Sequence, residues 1–361
     1  MKDQFGKLCE ITIRGYRSIR ALDALPMDDI NILIGPNGAG KSNFISLFRL
    51  LRHLADEKLQ DFVSVSGSSA NLLYFGPKTT SELFLKLRTD VNIYEASLSP
   101  TAEGGLIFSR EVVGFKGTNK TIHSPQQIES NMRRARNAGG IPPYIYRAFE
   151  NWRVYHFHDT GPFAPLRSTT SLADMELLAA DGGNLAAFLY FLQERHPEVL
   201  QEIEDLVGRI APFFSRFILR PDPLKPDQIR LRWRHRRVDG DVMDVAALSD
   251  GSLRFIALAT LLLQPEPPST VVVDEPELGL HPSALGLLAS IIHSVAHQVQ
   301  VICSTQSATF ADHFSWSDLN VADCVDAESR FRRLAESDVS AWLDDFSLGE
   351  IWEKNLIGGQ P

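Results

Sequence analysis

The chain has 361 residues, of which 44% are hydrophobic and 22% charged, and its formal net charge is −9. This size and composition are typical of a globular protein, and the negative charge excludes a uniformly basic nucleic-acid binder but not a local basic groove. Its three cysteines are odd in number and widely separated, which argues against a disulfide framework and favours a reducing, cytoplasmic location.

Strands and apolar helices are predicted along the whole chain. The predicted strands lie at residues 8–14 (with a turn at Gly15), 28–34, 83–88, 95–99, 106–115, 152–158, 229–238, 270–274 and 299–304. The predicted helices lie at residues 43–53, within 183–216, at 253–263, at 282–297 and within 339–356. A polar, glycine-containing segment at 118–140 predicts an exposed loop. No fixed repeat or heptad run occurs, so no long coiled coil is expected.

Residues 35–42, between the second strand and the first helix, have the P-loop spacing G-x-x-x-x-G-K-S. Glycine lets backbone N–H groups turn toward phosphates, and Lys41 can reach the β- and γ-phosphates. The Ser42 hydroxyl is expected on Mg²⁺, and the following helix points its positive end at the anion. The predicted nucleotide-binding residues of this Walker A segment are Asn37, Gly38, Ala39, Gly40, Lys41, Ser42 and Asn43.

The strand at residues 270–274 delivers two acids to its carboxyl end, the edge at which ligands bind in parallel sheets. This Walker B pattern predicts Asp274 as an Mg²⁺ ligand through water. It predicts Glu275 as the general base that activates the attacking water. The alternative is an acidic turn of the kind found in many α/β proteins.

Two further segments are placed to complete a phosphate site. Ser249, Asp250, Gly251 and Ser252 open the helix that precedes the acidic strand, and a hydroxyl at a helix N-terminus binds anions. The alternative is an ordinary helix cap. Gln306 follows the next buried strand, where its side chain can reach a γ-phosphate or its water, although a loop glutamine of no special role is the alternative.

The order of these motifs resembles the ABC-type ATPase head, and within that class the RecF/SMC/OLD-like branch. Residues 13–19 resemble the opening strand and turn of this branch, which implies nucleotide contacts by Arg17 and Ser18. Residues 277–282 resemble its D-loop. The tail, residues 346–352 with Gly358 and Gly359, resembles small stand-alone bacterial AAA-family, RecF-like ATPases.

The resemblance implies an α/β fold: a P-loop NTPase head with a mixed β/α nucleotide-binding core, an inserted, largely helical lobe and no long coiled coil. The implied division places the discontinuous core at residues 1–60 and 245–361, and a β-rich and helical insert at 61–244. Two departures bear on hydrolysis, since Asp250 replaces a signature glycine and Gln306 replaces a histidine. Glutamine orients water but cannot carry a proton. Gln60 is a Q-loop candidate by position alone.

The resemblance also implies a mechanism, in which ATP and Mg²⁺ lie between the P-loop of one chain and the signature of a second copy. Hydrolysis driven by Glu275 would release this homodimer, as a switch in DNA metabolism, DNA repair or anti-phage defence. The alternative is a slow ATP-gated sensor subunit that controls a partner effector such as a nuclease. A transporter ATPase is disfavoured, because the long insert does not resemble a transporter coupling subdomain. No membrane partner is expected, because the longest apolar run, residues 255–263, is about half a membrane span.

Weaker candidates lie outside these motifs. An alternating basic strand predicts a DNA-binding face, or a solvated face paired to acids including Asp244; it comprises Arg230, Arg232, Arg234 and Arg236. A second basic cluster comprises Arg133, Arg134 and Arg136. His156 and His158 have strand spacing but no obvious further metal ligands, which favours a packing role. The 55 residues after Gln306 are too few for a separate nuclease domain.

Overall fold

The computed structural model describes residues 7–124, 126–135, 140–237 and 242–360. Its strands are β1 (Leu8–Tyr16), β2 (Ile19–Pro26), β3 (Ile30–Ile34), β4 (Leu83–Thr89), β5 (Asn92–Pro100), β6 (Leu106–Phe115), β7 (Thr118–Thr121), β8 (Trp152–Tyr155), β9 (Thr170–Ser171), β10 (Phe214–Phe217), β11 (Gln228–Ile229), β12 (Arg232–His235), β13 (Val242–Asp244), β14 (Thr270–Asp274), β15 (Gln300–Thr305), β16 (Leu319–Val325) and β17 (Glu328–Arg333).

The helices of the described residues are α1 (Lys41–Ala55), α2 (Leu59–Val65), α3 (Met132–Ala135), α4 (Pro142–Asn151), α5 (Leu185–Arg195), α6 (Pro197–Ile210), α7 (Asp250–Leu263), α8 (Pro282–Val295), α9 (Ala308–Ala311), α10 (Glu336–Val339) and α11 (Leu348–Glu353). In this part of the chain, every helix is too short or too polar to cross a membrane.

The chain divides into two compact units. Unit 1 comprises Met1–Val154, Pro268–Asp274 and Ala296–Pro361, and unit 2 comprises Tyr155–Pro267 and Glu275–Val295. These boundaries differ from the division at residues 60 and 245 that the sequence predicts, which stays a prediction.

Unit 1 is built on two six-stranded sheets. The first is antiparallel, in the order β2-β1-β4-β5-β6-β7, and the second has the order β17-β16-β3-β15-β14-β8. In the second sheet β16, β3, β15 and β14 are parallel. Asp274 lies opposite Ser304, and Ile34 lies opposite Thr305, so the segments after β3, β14 and β15 leave from one edge.

The core of unit 1 is centred on helix α1. Its apolar residues recur at helical spacing, which gives a continuous buried face. One hydrophobic cluster joins this face to both sheets, and it includes Phe44, Leu47, Phe48 and Leu51 of α1, Ile11 and Leu85 of the antiparallel sheet, and Val272 and Ile302 of the parallel sheet. Burial of α1 therefore fixes the helix whose first turn follows the P-loop.

A buried amide also ties the two sheets of unit 1 together. The Gln300 side chain accepts a hydrogen bond from the Leu8 N–H at 3.0 Å and donates to the Leu8 carbonyl at 2.7 Å. It also donates to the Asp28 carbonyl at 2.8 Å and accepts from the Thr270 hydroxyl at 3.2 Å. These bonds go to Leu8 of β1, to Asp28 just before β3 and to Thr270 of β14, so the start of β1 is held at the start of the parallel strands.

Unit 2 combines helices with two small sheets. Helix α6 packs against α5, α7 and β10, and α7 packs against α8. One sheet has the order β10-β12-β13 and the other pairs β9 with β11. The buried positions of α7 run almost continuously from Ser252 to Leu262, which explains why its sequence is apolar on every face.

Several elements differ from the sequence-based expectations. Strand β1 continues through Gly15, whose φ of 75° makes a local irregularity rather than the end of the strand. Strands β2, β16 and β17 were not predicted, and the segment expected to be a loop at 118–140 contains β7 and α3. The strand expected at 152–158 ends at Tyr155, so His156 and His158 lie beyond it.

Two other boundaries were also wrong. The helical region expected at 183–216 ends at Ile210 and passes into β10. The alternation at 229–238 is divided between β11 and β12, with Arg230 and Leu231 between them, because β11 and β12 join different sheets. Residues 238–241 lie outside the described part of the chain.

A buried carboxylate organises the segment that returns from β7 to α3. Glu111 of β6 is 0% exposed and accepts hydrogen bonds from Tyr94 Oη, Gln127 Nε2, Ser130 Oγ and the Asn131 N–H, at 2.5–3.0 Å. Burial raises the pKa of this carboxyl, and the donors from Ser130, Asn131 and Gln127 oppose that effect. A burial cost of this kind is tolerated when the group is fully hydrogen-bonded.

Replacing Glu111 with alanine leaves these donors without their acceptor in a buried place. We expect the Glu111→Ala substitution to lower the free energy of unfolding by about 2–4 kcal/mol, measured by urea denaturation. Asp23→Ala is the matched control, because the ion pair of Asp23 with Arg14 is more than half exposed on both sides; it should change stability by less than about 0.5 kcal/mol. Equal effects of the two substitutions would contradict a structural role for Glu111.

Candidate functional site

The P-loop connects β3 to α1 and encloses its lysine. Lys41 is 5% exposed, and its Nζ donates to the carbonyl oxygens of Gly35 at 2.5 Å and Pro36 at 3.0 Å. Helix α1 begins at Lys41 after Gly40, whose φ is 98°, and it has no side-chain cap and no acidic residue in its first turn. The ammonium group and the positive end of the helix therefore act together on one anion site.

The back of the P-loop packs against the β16–β17 hairpin. A Cβ atom at Gly35 would collide with the carbonyl oxygen of Ala322 in β16. A Cβ atom at Gly40 would collide with the side chain of Ser329 in β17. Both glycines are thus required by close approach of the hairpin, which leaves Asn37 and Gly38 exposed on the opposite side of the loop.

The C-terminal tail lies behind the same hairpin. The Gly359 N–H donates to Asp323 Oδ1 at 2.6 Å, and Trp352 Nε1 donates to the Gly359 carbonyl. A Cβ atom at Gly359 would lie 2.7 Å from Val321 and 3.6 Å from the Cα atom of Gly35. The tail is therefore part of the packing that supports the P-loop.

Arg17 and Ser18 lie beside the start of α1, and their contact with the nucleotide stays a prediction. The Ser18 hydroxyl accepts hydrogen bonds from Asn43 Nδ2 at 2.6 Å and from Ser329 Oγ at 2.7 Å. Arg17 has a left-handed φ of 50°, and its N–H donates to the Leu72 carbonyl at 2.8 Å. Ser329 was missed by the sequence analysis, because only the fold of the unpredicted hairpin brings it to residues 18 and 40.

The predicted acidic strand and the switch glutamine follow neighbouring strands. Asp274 ends β14, and its carboxylate accepts a hydrogen bond from Ser304 Oγ of β15. Gln306 directly follows β15 and is partly exposed. Burial lowers the pKa of Arg49 on α1 while the charge of Asp274 opposes that effect, so this guanidinium lies within electrostatic reach of the carboxylate.

Glu275 has a strained backbone. Its φ of 43° is left-handed, a conformation that costs a residue with a side chain of this size about 1–2 kcal/mol. Such strain concentrates where a side chain is aimed for function. The division between the two units falls between Asp274 and Glu275, so the two acids of the Walker B pattern belong to different units.

The oxygen donors of unit 1 fit Mg²⁺. Ser42 is exposed at the start of α1, and Asp274 is partly exposed at the end of β14. Within the described residues no group of three or more His, Cys, Asp or Glu side chains could hold a metal. Mg²⁺ suits such a site, because it is usually held by one or two protein oxygens together with phosphate oxygens and water.

The signature segment forms the N-terminus of α7 in unit 2. Ser249 is the N-cap, and its Oγ accepts from the Ser252 N–H at 3.2 Å and lies 2.9 Å from the Ser252 hydroxyl. Asp250, the residue that departs from the family pattern, accepts a hydrogen bond from Arg167 Nη2 at 2.8 Å. Arg167 is only 8% exposed and also donates to the carbonyl groups of Thr160, Val245 and Leu248.

The loop that resembles a D-loop packs directly on the signature. A Cβ atom at Gly251 would collide with the carbonyl oxygen of Gly279. Arg254, one turn further along α7, donates to the carbonyl groups of Phe157 and His158, each at 2.8 Å. Burial lowers its pKa, while the charges of Asp250 and Glu277 oppose that effect.

Sequence reasoning missed the two arginines that hold this arrangement. Arg254 stands within the signature segment and could have been suspected from its charge on an otherwise apolar helix. Arg167 carried no such signal, because it lies 83 residues before Asp250 in a segment without a motif. Together they fix the start of α7 to two other segments of unit 2.

The basic strand does not present four guanidinium groups on one strand face. Only Arg232 and Arg234 lie in β12. Arg230 precedes it and forms a bidentate pair with Asp244 at 2.6 and 3.0 Å, which lowers the pKa of Asp244. Arg236 follows the strand. The pairing with Asp244 agrees with the solvated-face alternative for part of this segment.

The structure shows the contacts or exposure of the remaining weak candidates. The Gln60 amide donates to the carbonyl groups of Leu106 and Ile128, so it supports the loops of unit 1. His156 and His158 have ring centroids 6.3 Å apart without a third metal-ligand side chain among the described residues. Of the second basic cluster, Arg133 and Arg134 are exposed and Arg136 lies outside the described residues.

Comparison with known protein families identifies the family to which this chain belongs. The family described as "AAA domain, putative AbiEii toxin, Type IV TA system" matches residues 30–312. The chain belongs to this AAA family. The match runs from β3 through the P-loop, the signature, the acidic strand and Gln306, which confirms the predicted family resemblance and identifies the AAA chain as an ATPase.

Solved structures show the same fold at low identity. An Smc head bound to the C-terminal winged-helix domain of ScpA aligns with a TM-score of 0.61 and 15% identity, covering 92% of the AAA chain and 99% of the other. An Smc head with an extended coiled coil, bound to the C-terminal domain of ScpA from Pyrococcus furiosus, aligns with a TM-score of 0.56 and 13% identity, covering 94% and 98%. The predicted α/β head is confirmed, and the described residues contain no long coiled coil. A comparison with curated protein sequences found no match.

The contact between Gly251 and Gly279 allows a direct test of the signature geometry. We expect Gly251→Ala to lower the free energy of unfolding by about 1–3 kcal/mol and to reduce ATPase turnover, because one of two backbones must move. Gly208→Ala is the matched control in unit 2: the nearest atom to its added Cβ is Arg236 Nη2 at 3.5 Å, so stability should rise by about 0.5–1 kcal/mol. Urea denaturation and phosphate release measure both effects, and a neutral Gly251→Ala would contradict the packing.

Proposed function

We propose that this AAA ATPase is an Mg²⁺-dependent, ATP-sandwiched homodimeric switch that acts in DNA metabolism, DNA repair or anti-phage defence. One observation carries the proposal. Ser249 caps a donor-rich helix N-terminus that Arg167 and Gly279 hold in a fixed shape, although this segment has no catalytic acid or lysine of its own. A phosphate-binding segment of this kind would function as half of a composite site, by contacting the γ-phosphate bound to the P-loop of a second copy.

In the proposed dimer, each nucleotide is contacted by two sets of residues, one from each copy. Residues 37–43, with Arg17 and Ser18, would bind the phosphates, and Ser42 and Asp274 would hold Mg²⁺, which neutralises charge on the phosphate oxygens. Glu275 would accept a proton from the attacking water, and Gln306 would orient that water. Residues 249–252 of the second copy would contact the γ-phosphate.

Asp250 has a specific place in this proposal. A carboxylate next to a γ-phosphate repels it, and that would argue against a signature that contains aspartate. Arg167 bonds to Asp250 and is itself buried, so the pair carries no net charge at the helix N-terminus. The departure from the family pattern is therefore compatible with anion binding.

We also propose the domain division at residues 60 and 245 that the sequence predicts.

The alternative is an ATP-gated regulatory subunit that controls a partner effector such as a nuclease. Two findings support this regulatory alternative. The family description names a putative toxin of a toxin–antitoxin system, and the Smc heads of the same fold are bound to ScpA, a protein partner. Cys9, Cys303 and Cys324 form no disulfide among the described residues, which agrees with a cytoplasmic setting for either function.

Substitution of Lys41 and Glu275 tests the switch. We expect Lys41→Ala to weaken ATP binding about tenfold or more, because it removes a charged donor to phosphate. Glu275→Gln should bind ATP normally, abolish turnover and accumulate a dimer with ATP and Mg²⁺ in sedimentation velocity. A Glu275→Gln protein that stays monomeric with bound ATP would overturn the sandwich. Control of an effector that survives Glu275→Gln would favour the regulatory alternative.

A DNA surface is supported by the small sheet of unit 2. Arg216 of β10 lies directly opposite Arg234 of β12, and like charges in that position destabilise an antiparallel pair. Among the described residues neither forms a salt bridge, although the charge of Arg216 opposes the effect of burial on the pKa of Glu204. A nucleic-acid backbone would supply the missing negative charge.

Double substitution tests that surface. We expect Arg216→Ala with Arg234→Ala to weaken duplex DNA binding and to reduce the slope of log affinity against log salt by roughly 2, since about 0.9 is lost for each phosphate contact. Arg230→Ala is the matched control, because Asp244 already neutralises Arg230. Fluorescence anisotropy at several salt concentrations measures both, and equal affinity of the double variant and the wild type would remove DNA from the proposal.

A further inference from the structure

An aromatic cluster lies at one end of the small sheet β10-β12-β13 in unit 2. Phe213 directly precedes β10 and is 38% exposed. Its ring stacks on the ring of His235 in β12, with centroids 6.0 Å apart and an angle of 13° between the planes. It also contacts the ring of Trp233, which is only 2% exposed, with centroids 5.6 Å apart. Phe213 is therefore an exposed aromatic surface that rests on a buried anchor.

Hydrogen bonds hold the two exposed rings of this cluster in place. The Arg236 N–H donates to the Phe213 carbonyl at 2.7 Å, and the Arg237 N–H donates to His235 Nδ1 at 3.1 Å. These bonds fasten the residue before β10 and the last residue of β12 to the segment that follows β12. A ligand that stacks on Phe213 meets a preformed surface, so only a small ordering cost opposes its binding.

The two segments that carry the cluster are rich in arginine. Residues 209–220 and 232–237 contain no aspartate or glutamate, although the net charge of the whole chain is −9. Their seven arginines are Arg209, Arg216, Arg220, Arg232, Arg234, Arg236 and Arg237. Within the described part of the chain, none of these arginines forms a salt bridge. This end of unit 2 is therefore a local basic surface on an acidic protein.

Few carboxylates face these arginines from neighbouring segments. Arg216 lies within electrostatic reach of Glu204, where its charge opposes the effect of burial on the pKa of that carboxyl. The charge of Arg232 helps to lower the pKa of Asp244, which is already paired with Arg230. Two carboxylates do not balance seven guanidinium groups, so an anionic ligand would complete the surface.

A nucleic-acid strand with unpaired bases matches both features of the surface. Its phosphates neutralise arginine, and its bases have π faces that stack on an aromatic ring. In a duplex those faces are covered by neighbouring base pairs, so a duplex cannot use the aromatic platform. An apolar protein segment would cover Phe213 but would leave the arginines without counter-charge.

We propose that this surface binds single-stranded DNA, with one base stacked on Phe213 and the adjacent phosphates contacted by Arg236 and Arg237. The inference rests on the proposed function in DNA metabolism, and it identifies unpaired strands as the DNA that the protein recognises.

The Phe213 contact is separate from the contact proposed for duplex DNA. Side chains alternate along a strand, so Arg234 lies on the opposite face of β12 from Trp233 and His235. Arg216 lies opposite Arg234 in the neighbouring strand and belongs to that other face. Substitution of Phe213 can therefore change single-strand binding without changing duplex binding.

Fluorescence anisotropy of the full-length protein with labelled oligothymidylate of about 16 nucleotides tests the surface, since this length covers the site sizes of single-strand binders. Phe213→Ala is expected to weaken this binding roughly 5- to 150-fold, the range for loss of one base–aromatic stack, and to leave duplex binding unchanged. Phe213→Trp keeps an aromatic ring and should retain affinity. Phe163→Ala is the matched control, because it removes a 98% exposed phenylalanine of unit 2 outside the two arginine segments.

Two further measurements separate the base contact from the phosphate contacts. Arg236→Ala with Arg237→Ala should reduce the slope of log affinity against log salt for oligothymidylate by roughly 1.4, since about 0.7 is lost for each phosphate contact on a single strand. An abasic strand of the same length keeps the phosphates without the bases. Phe213→Ala should therefore bind the abasic strand as the wild type does.

The outcomes distinguish this inference from the proposed function. The assignment is overturned if Phe213→Ala binds oligothymidylate as tightly as the wild type, or if it weakens duplex and single-strand binding equally. Tighter binding of oligouridylate than of oligothymidylate would assign the surface to RNA and overturn the assignment to DNA. Wild-type protein that binds duplex DNA but not oligothymidylate would remove this inference alone. Wild-type protein that binds neither would also remove DNA from the proposed function.

Discussion

The close packing of the β16–β17 hairpin against the back of the P-loop is the constraint on which the nucleotide site depends. Gly35 meets the Ala322 carbonyl and Gly40 meets Ser329, with no space for a side chain at either position. The hairpin thereby supports the loop along its length, and Lys41 is enclosed by two loop carbonyls. A loop with this support keeps its donors oriented before any anion arrives, which reduces the cost of binding.

The two units contribute different chemistry. Unit 1 supplies the enclosed lysine, the Ser18–Asn43–Ser329 network and Asp274, which are suited to phosphate and metal. Unit 2 supplies Glu275 and a helix N-terminus without a lysine. Within each unit the supporting bonds join distant segments of that same unit, so the residues of each unit can be positioned without the nucleotide.

The functional motifs were predictable from the sequence, whereas the residues that hold those motifs in place were not. The P-loop, the acidic strand and the position of Gln306 follow from spacing and from apolar runs that end in polar residues. Ser329 and Arg167 could not be found, because Ser329 bonds to Ser18 across 311 residues and Arg167 bonds to Asp250 across 83 residues. Strands β9, β10 and β13 of unit 2 also escaped prediction, since two- to four-residue strands give too little alternation to detect.

The basic segment at residues 230–236 also shows what a sequence pattern cannot predict. Alternation of arginine with apolar residues predicted one strand, yet Arg230 falls between two strands that join different sheets. Pairing decides which charges remain available, and it depends on partners such as Asp244 and Arg216 that periodicity along one segment does not reveal. Charge pattern alone therefore identified the segment but not its exposed cations.

The position of Gly359 has a consequence for biosynthesis. The P-loop is translated well before the hairpin strand that contacts Gly35 and before the segment that packs behind that strand. Residues 35–42 therefore cannot reach their supported geometry on a nascent chain that still lacks the hairpin. Nucleotide affinity should therefore arise only after the segment through Gly359 has been made and has packed behind the hairpin, so folding of the nucleotide site is delayed relative to translation of its motif.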